Sequence, residues 1–337
     1  MKNVTILAAF ATLLLPLSSA YAHTAYGPQL EGFDYPHPVE SFTFTSQQQP
    51  LSMAYMDVPP TTEANGRTAV LLHGKNFCGA TWQDTIEVLS AEGYRVIAPD
   101  QIGFCRSSKP RGYQFSFNQL AHNTHALLAD LNIDKITLIG HSMGGMLAAR
   151  FTLNHPEQVE QLVLANPIGL EDWQQAGVPY ATIDQMYQGQ LQTSYEGIKN
   201  YQLKFYYNGQ WKPEYDRWVE MAYGMYAGPG KEIVAWNQAQ TAEMLFTQPV
   251  VHEFPNIQAP TLVLIGGKDR TAPGANRAPE SVAQSLGQYP ELGRKTAAAI
   301  PNATLVEFPE LGHSPQVEAP DKFHQALLAG MAQLNSQ

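Results

Sequence analysis

The amino-acid sequence predicts an α/β fold in which a mostly parallel sheet carries helices on both faces. Short, continuously apolar segments alternate with segments of helical character from residue 68 to residue 164, and the pattern resumes at residue 261. Parallel strands are joined by helical crossovers that cover both faces of the sheet, which is why such strands are apolar throughout. A hairpin of two half-buried strands precedes the alternation, so we expect the sheet to begin with antiparallel strands.

The predicted elements follow one another in a regular order. The hairpin is predicted at 41–45 and 51–58, with the polar residues 47–50 between its strands. The remaining core elements are strands at 68–72, 94–99, 135–139, 159–164, 261–265 and 304–308, and helices at 81–92, 117–131, 143–154 and 321–333. The segment 271–295, which contains several Pro and Gly residues, is predicted to be an ordered loop at the site entrance.

Residues 167–256 interrupt the alternation and are predicted to form a helical lid inserted after the sixth strand. Core strands flank this part on both sides, so residues 23–166 and 257–337 are predicted to form one α/β core. The lid holds 16 of the 35 aromatic residues of the chain. Candidates for the lining of a substrate pocket are Tyr206, Tyr207, Trp211, Tyr223 and Trp236. Packing between lid helices is the alternative for each, but as a group they favour an uncharged, hydrophobic or aromatic substrate.

The first 22 residues have the features of a secretory signal peptide. Lys2 provides a positive start, residues 4–15 are almost wholly apolar, and Ala20-Tyr21-Ala22 has the small-x-small pattern of a cleavage site. A membrane anchor is the alternative, but a helix needs about 20 apolar residues to cross a bilayer. We therefore expect cleavage after Ala22, a periplasmic or secreted location, and no stable membrane insertion of the mature chain.

Composition and charge argue against several classes of function. Apolar residues make up 44% of the 337 residues, which supports a sizeable core and argues against disorder. The formal net charge is −10, from 20 Lys and Arg against 30 Asp and Glu, so no nucleic-acid partner is expected. No cluster of His, Cys or carboxylate residues has the spacing of a metal site, and we expect neither a metal nor an organic cofactor.

The segment Gly140-His141-Ser142-Met143-Gly144 is the strongest functional signal in the sequence. It lies directly between a predicted strand and a predicted helix, which is the setting of a nucleophile elbow. The tight turn forces Ser142 into a strained backbone conformation, and the flanking glycines remove side chains that would collide with the strand and the helix. Ser142 is thereby a candidate nucleophile at a helix N-terminus, where the helix dipole favours developing negative charge.

A serine nucleophile needs a base to take its proton and an acid to orient that base. His313 follows the last predicted strand, and Asp269 follows the strand before it. The chain order Ser142, Asp269, His313 is that of a catalytic triad built around a nucleophile elbow.

An oxyanion hole is predicted from two backbone amides near Ser142. One belongs to Met143, the residue after the nucleophile, and the other comes from the loop after strand 68–72, where Lys75 is the better donor. His73 and His141 lie in the same region, and we interpret them as residues that hydrogen-bond within their loops rather than as bases.

These motifs together resemble the α/β-hydrolase superfamily, in the lidded branch that includes esterases, haloalkane dehalogenases and epoxide hydrolases. The resemblance rests on the elbow, Asp269 and His313, and on His73-Gly74, Asp100-Gln101-Ile102-Gly103 and Ser107-Ser108-Lys109-Pro110. It covers nearly the whole chain after residue 22 except the lid. Dehalogenases and epoxide hydrolases use an Asp nucleophile, so Ser142 implies an acyl-enzyme rather than the alkyl-enzyme ester of those groups.

Cys78 and Cys105 are the two cysteines of the chain. Export to an oxidising compartment favours a disulfide, and two buried thiols are the alternative. The strand order of the superfamily places the loops that bear Cys78 and Cys105 side by side at one sheet edge, so the resemblance implies that a disulfide between them is geometrically feasible.

The sequence therefore predicts a serine hydrolase that cleaves carboxylic esters of hydrophobic or aromatic small molecules through an acyl-enzyme on Ser142. Lactone, thioester, amide or carbon–carbon bond hydrolysis and perhydrolysis are alternatives that use the same triad. A binding protein that retains the hydrolase fold is an alternative of another class, although a pure binder gains nothing from an intact triad. The expected partner is a small-molecule ester.

Overall fold

The computed structural model describes Met1 and residues 23–335. Its strands are β1 Glu40–Ser46, β2 Gln49–Val58, β3 Thr68–Leu72, β4 Arg95–Pro99, β5 Ile136–His141, β6 Val159–Ala165, β7 Thr261–Gly266 and β8 Ala303–Phe308. They form one sheet in the order β1-β2-β4-β3-β5-β6-β7-β8. β2 pairs antiparallel with β1 and with β4, and the other strands pair in parallel. The predicted α/β fold with an antiparallel start is confirmed.

Helices pack on the two faces of the sheet, and further helices lie over the carboxyl ends of its parallel strands. They are α1 Gln83–Ala91, α2 Phe117–Asp130, α3 Met143–Asn154, α4 Ile183–Leu191, α5 Tyr195–Phe205, α6 Asp216–Ala227, α7 Lys231–Thr247, α8 Glu280–Ser285, α9 Tyr289–Ala299, α10 Pro315–Glu318 and α11 Pro320–Leu334. The predicted loop at 271–295 is wrong in part, because it contains α8 and the start of α9. Pro290 lies in the first turn of α9, where proline is tolerated because the amide has no helical partner.

Both faces of the sheet are buried, as the continuously apolar strands require. In β3, Val70 and Leu72 pack into a hydrophobic cluster on one face, while Ala69 and Leu71 pack into a cluster on the other, and none of the four is exposed. Burial of apolar area contributes about 25 cal/mol per Å² removed from water. This two-sided burial stabilises the sheet and holds the ends of its parallel strands in fixed positions.

The insertion between β6 and β7 contains helices α4 to α7, and we call these four helices the cap. Its place after the sixth strand confirms the prediction of a helical insertion there. α4 and α5 begin where the Thr182 and Ser194 side chains accept hydrogen bonds from backbone amides, so both starts are encoded locally. No helix in the described part of the chain combines the length and the apolar character needed to span a bilayer.

The first described segment of the chain, residues 23–34, packs against the cap. The ring of His23 stacks on Tyr195 of α5, with 3.9 Å between the ring centroids. The predicted signal peptide at 1–22 lies outside the described residues, apart from Met1. Among the described residues, the first one after the predicted cleavage site, His23, contacts the cap.

Helix α3 approaches the sheet closely at its N-terminus, and two glycines allow this approach. A Cβ atom on Gly144 would lie 2.1 Å from the carbonyl oxygen of Leu72 in β3. A Cβ atom on Gly140 would lie 2.2 Å from the carbonyl oxygen of Gly144. Any larger residue at either position would have to push α3 away from β3 and β5, because a packed interior has no room for the added carbon.

Replacing Gly144 by Ala should destabilise the protein because the new methyl group overlaps the carbonyl of Leu72. We expect the free energy of unfolding to fall by at least about 2 kcal/mol, as for other overpacked cores. Gly112→Ala is the matched control, since a Cβ there would meet no atom within 4 Å. Urea denaturation followed by circular dichroism measures both variants, and equal stability of the two would contradict the close approach of α3 to β3.

Candidate active site

Ser142 lies at the turn between β5 and α3. Its φ of 57° and ψ of −121° place it in the positive-φ region, which is costly for a residue with a side chain. Ser142 is 5% exposed and lines a cavity beneath the cap. The backbone therefore has the strained geometry of a nucleophile elbow, and the strain brings the hydroxyl to the cavity wall.

Asp269 and His313 form a buried hydrogen-bonded pair. Asp269 follows β7, His313 follows β8, and Oδ2 of Asp269 lies 2.6 Å from Nδ1 of His313, with neither residue exposed. The Asp269 carboxylate also accepts hydrogen bonds from the Thr271 amide at 2.8 Å and from Asn166 Nδ2 at 3.0 Å. The fixed carboxylate keeps a proton on Nδ1, so Nε2 of the neutral imidazole carries the free lone pair.

Nε2 of His313 is available to accept a proton. This nitrogen is buried, and no described residue forms a hydrogen bond with it, so the serine–histidine hydrogen bond expected of a triad is not formed. The two elements nevertheless meet, because Nε2 of His141, the residue before Ser142, lies 2.8 Å from the His313 carbonyl oxygen. Catalytic hydrogen bonds often tighten only when substrate binds.

The two other histidines near the site hold loops together. Nδ1 of His73 lies 2.8 Å from the Gly74 carbonyl oxygen, and its Nε2 accepts from the Gln101 amide at 3.0 Å. His141 bonds to the His313 backbone as described above. Burial lowers the pKa of both rings, and that of His141 falls well below its usual value, because a charged imidazole would lose its hydration there. Both rings therefore stay neutral, in agreement with their interpretation as loop residues.

The predicted oxyanion donors lie on two sides of Ser142. Met143 is the first residue of α3, so its amide has no partner within the helix. The loop after β3 packs directly against the serine, since a Cβ atom on Gly74 would lie 3.0 Å from the Ser142 Cβ. Lys75 follows Gly74 in this loop and lines the cavity. Both residues thus lie next to Ser142, and their role as oxyanion donors stays a prediction.

Asn166 is a site residue that no sequence pattern indicated. It follows β6, its Nδ2 donates to Asp269, and its Oδ1 accepts from the Gly266 amide at 3.0 Å. Asn166 also has a positive φ of 39°, a conformation that Asn adopts more readily than most residues. The available signal was an Asn directly after a strand. Asn is also common in ordinary turns because it tolerates a positive φ, so this pattern does not by itself indicate a site residue.

A cavity of about 810 Å³ lies between the cap and the carboxyl ends of the parallel strands. This volume is in the range of pockets that bind small molecules. The aromatic residues that the cap and its flanking loop contribute to its wall are Tyr180, Tyr201, Tyr206, Tyr226 and Phe246. Methionines of the cap add further apolar surface, so most of the substrate body would contact apolar side chains.

Of the five residues predicted to line the pocket, the structure places Tyr206 in the cavity wall, and it places Tyr207, Trp211, Tyr223 and Trp236 away from it. Tyr207 is fully buried and stacks on Tyr215, with 3.7 Å between ring centroids, and Trp211 packs edge-on against the same ring. These aromatic rings join the end of α5 to the start of α6 instead of facing the cavity.

Tyr223 packs within the cap, and Trp236 links α7 of the cap to the core. Tyr223 lies edge-on to Tyr195, with 6.0 Å between centroids, and Trp236 donates from Nε1 to the Arg111 carbonyl at 2.8 Å. Helical spacing of aromatic residues indicates that a face is buried, but it does not distinguish a neighbouring helix from a cavity. The aromatic content of the cap is therefore readable from the sequence, whereas the direction of each ring is not.

Cys78 and Cys105 form a disulfide, with 5.9 Å between their Cα atoms. Both residues are buried in the cavity wall, and the bond joins the loop after β3 to the loop after β4. Asp100 lies close to the two sulfur atoms, but these are bonded to each other, and Asp100 Oδ2 accepts a hydrogen bond from Tyr35 at 2.6 Å. This group fits a structural role better than a metal site.

Known proteins share this architecture. Residues 69–320 match the family model described as the alpha/beta hydrolase fold. A solved structure from Pseudomonas aeruginosa, named a "probable hydrolytic enzyme", is 60% identical in sequence and superposes with a TM-score of 0.91. The match covers 91% of this chain and 98% of that chain.

Two less similar proteins share the fold as well. A non-heme chloroperoxidase from Kitasatospora aureofaciens is 26% identical over 287 residues, which cover 78% of this chain and 91% of the relative. The solved structure of an esterase from Exiguobacterium antarcticum is 22% identical, has a TM-score of 0.66, and covers 86% of this chain and 98% of its own. With its eight-stranded sheet, its insertion after β6 and its match to the family model, this chain belongs to the α/β-hydrolase fold family.

Proposed function

We propose that the protein is a serine hydrolase that cleaves carboxylic esters of small molecules. The observation that carries the proposal is the Asp269–His313 pair, whose unpartnered Nε2 lies next to the elbow that bears Ser142. An alcohol, a base and an orienting carboxylate are the groups that acyl transfer to serine requires. The family and the hydrolytic enzyme from Pseudomonas aeruginosa support a hydrolase, and the ester is our inference.

The first half of the reaction transfers the acyl group to Ser142. Nε2 of His313 takes the hydroxyl proton while Oγ of Ser142 attacks the ester carbonyl carbon. The carbonyl oxygen becomes an anion that the amides of Met143 and Lys75 stabilise, and one such donor contributes about 3 kcal/mol. The carbon–oxygen bond to the alcohol then breaks, and the alcohol leaves with the proton that His313 returns.

The second half releases the acid. Nε2 of His313 takes a proton from water, the resulting hydroxide attacks the acyl carbon, and Ser142 leaves with the proton from His313. The Asp269 carboxylate stabilises the imidazolium in both halves without taking its proton. Asn166 and Thr271 donate hydrogen bonds to that carboxylate and hold it in place, so it stays beside the imidazolium in both halves of the reaction.

Replacing Ser142 by Ala should lower kcat/KM for aryl esters by at least about a thousandfold, because the nucleophile is lost. Ser285→Ala is the matched control, since the Ser285 hydroxyl donates to the Val282 carbonyl on the exposed helix α8. Turnover of an acetyl-to-decanoyl series of p-nitrophenyl esters measures both variants. Residual activity of Ser142→Ala above about a thousandth of wild type would contradict the assignment of the nucleophile.

A fluorophosphonate probe should label Ser142 and no other serine. The probe reacts with serines whose proton a neighbouring base removes, which the Asp269–His313 pair supports. Peptide mass spectrometry locates the adduct, and Ser142→Ala is the control. Folded wild-type protein that stays unlabelled would favour a small-molecule binding protein over a hydrolase.

We further propose that residues 1–22 are removed on export to the periplasm or the medium. The charged start, the apolar run and the Ala20-Tyr21-Ala22 pattern support removal. The Cys78–Cys105 disulfide supports an oxidising compartment. We expect the full chain expressed in a Gram-negative host to yield a protein that starts at His23 and has no free thiol, by N-terminal sequencing and thiol titration. Recovery of chains that keep residues 1–22 in the cytoplasm would contradict the proposal.

A further inference from the structure

The charged side chains that line the cavity have the same sign, and the Asp269 carboxylate lies behind the wall, hydrogen-bonded to His313. Among the described residues its lining includes two cations, Lys75 and Arg277, and no Asp or Glu. The whole chain has a net charge of −10, so the cationic lining does not follow from a basic composition. A cleft lined by one sign of charge raises the local concentration of ligands of the opposite sign.

The Lys75 ammonium is bound to the cap by neutral groups. Its Nζ donates to the carbonyl oxygen of Gln238 at 2.8 Å, to Oε1 of the same residue at 2.6 Å, and to the Thr241 hydroxyl at 3.2 Å. Gln238 and Thr241 both lie on α7, and no described carboxylate forms an ion pair with Lys75. The protein therefore solvates this ammonium but does not neutralise its charge.

Burial makes the unneutralised charge costly. Loss of hydration lowers the pKa of Lys75 to about 7, and no neighbouring charge offsets this effect. Amide and hydroxyl oxygens replace part of the lost water, and loss of the proton removes the charge, whereas a bound anion would stabilise the charged form. An anionic group that enters the cavity would therefore gain a strong interaction at low dielectric constant.

Gln238 provides a second donor beside the ammonium. Its Oε1 faces Lys75, which fixes the orientation of the side-chain amide. Nε2 then points elsewhere and has no hydrogen-bond partner among the described residues, while Gln238 itself lines the cavity. A carboxylate oxygen would accept from this amide, and the charge of the ammonium behind the amide would strengthen the interaction.

We propose, building on the proposed ester hydrolysis, that the substrate is an ester that also carries a carboxylate, that Gln238 Nε2 donates to this carboxylate, and that the charge of the Lys75 ammonium attracts it. Lys75 Nζ donates to Gln238 of α7, and Gln238 lines the cavity, so the carboxylate site lies on the α7 side of the cavity wall. Arg277 lines the same cavity and attracts the anion from solvent. This proposal differs from the uncharged substrate that the aromatic content of the cap favours.

The rest of the substrate would be apolar. Met221, Met225 and Leu245 of the cap lie in the same cavity wall and offer hydrophobic surface. A carboxylate bound at one end and an apolar chain along the cap would fix the position of the ester bond relative to Ser142. The substrate class is therefore an ester of a dicarboxylic acid or of a hydroxycarboxylic acid with an apolar body.

Pairs of charged and neutral esters of equal length test this proposal. p-Nitrophenyl monoesters of dicarboxylic acids place the carboxylate in the acyl part, and butyryl esters of hydroxycarboxylic acids place it in the alcohol part. The neutral partners are the corresponding esters of unbranched monocarboxylic acids and of simple alcohols. We expect kcat/KM to be at least about tenfold higher for the charged member in one of the two series.

Lys75→Met should remove the preference, because the side chain keeps its length and loses its charge. We expect the ratio of kcat/KM between charged and neutral esters to fall by at least about tenfold. Lys231→Met removes the same charge from the exposed start of α7 and should leave the ratio unchanged. If Lys75→Met lowered kcat/KM equally for charged and neutral esters, the ammonium would act on the oxyanion that both share. This result would overturn the carboxylate site.

Binding to an inactive variant separates the carboxylate site from the proposed hydrolysis. Calorimetry should show saturable binding of the dicarboxylic acids to Ser142→Ala and its loss in the Ser142→Ala/Lys75→Met double variant. Circular dichroism establishes that each variant is folded. Such binding without ester turnover by wild type would support the carboxylate site and refute the hydrolase. Turnover of neutral esters with no charged-ester preference and no dicarboxylate binding would support the hydrolase and overturn the carboxylate site.

Discussion

The close contact between the start of helix α3 and the sheet is the constraint on which the rest of the site depends. Ser142 has an unfavourable backbone conformation that costs on the order of 1–3 kcal/mol, and surrounding packing offsets this cost. The contact requires glycine at positions 140 and 144. If this contact between α3 and the sheet were lost, the Ser142 hydroxyl would turn away from the cavity. The amide in the first turn of α3 would then no longer be positioned to donate to an oxyanion.

The other groups reach Ser142 because the parallel strands all end at one edge of the sheet, where ligands of such folds bind. The residues placed by these strand ends are Lys75 after β3, Asn166 after β6, Asp269 after β7 and His313 after β8. The cap supplies none of the acid–base groups. It supplies much of the cavity wall and the polar partners of the Lys75 ammonium, so we infer that the core determines the reaction and that the cap contributes to the choice of substrate.

The features that follow local rules were predictable from the sequence. Apolar strands, the glycines around Ser142, and the positions of Asp269 and His313 after successive strands depend on a few neighbouring residues each. The direction in which a side chain points within the folded protein does not depend on neighbouring residues alone. The cap aromatic Tyr207 faces another helix because the relative rotation of α5 and α6 decides its partner, and the Lys75 side chain reaches α7, far along the chain. Such contacts depend on tertiary packing, for which one sequence carries no periodic signal.

The central claim is that Ser142 and the Asp269–His313 pair act as one unit, and kinetic non-additivity tests it most directly. The measurement is kcat for ester hydrolysis in Ser142→Ala, in His313→Ala and in the double variant. If the residues act together, the double variant loses about as much as either single variant, because the first loss already disables the unit. Losses that multiply in the double variant would show that the serine and the histidine act independently and would contradict the account.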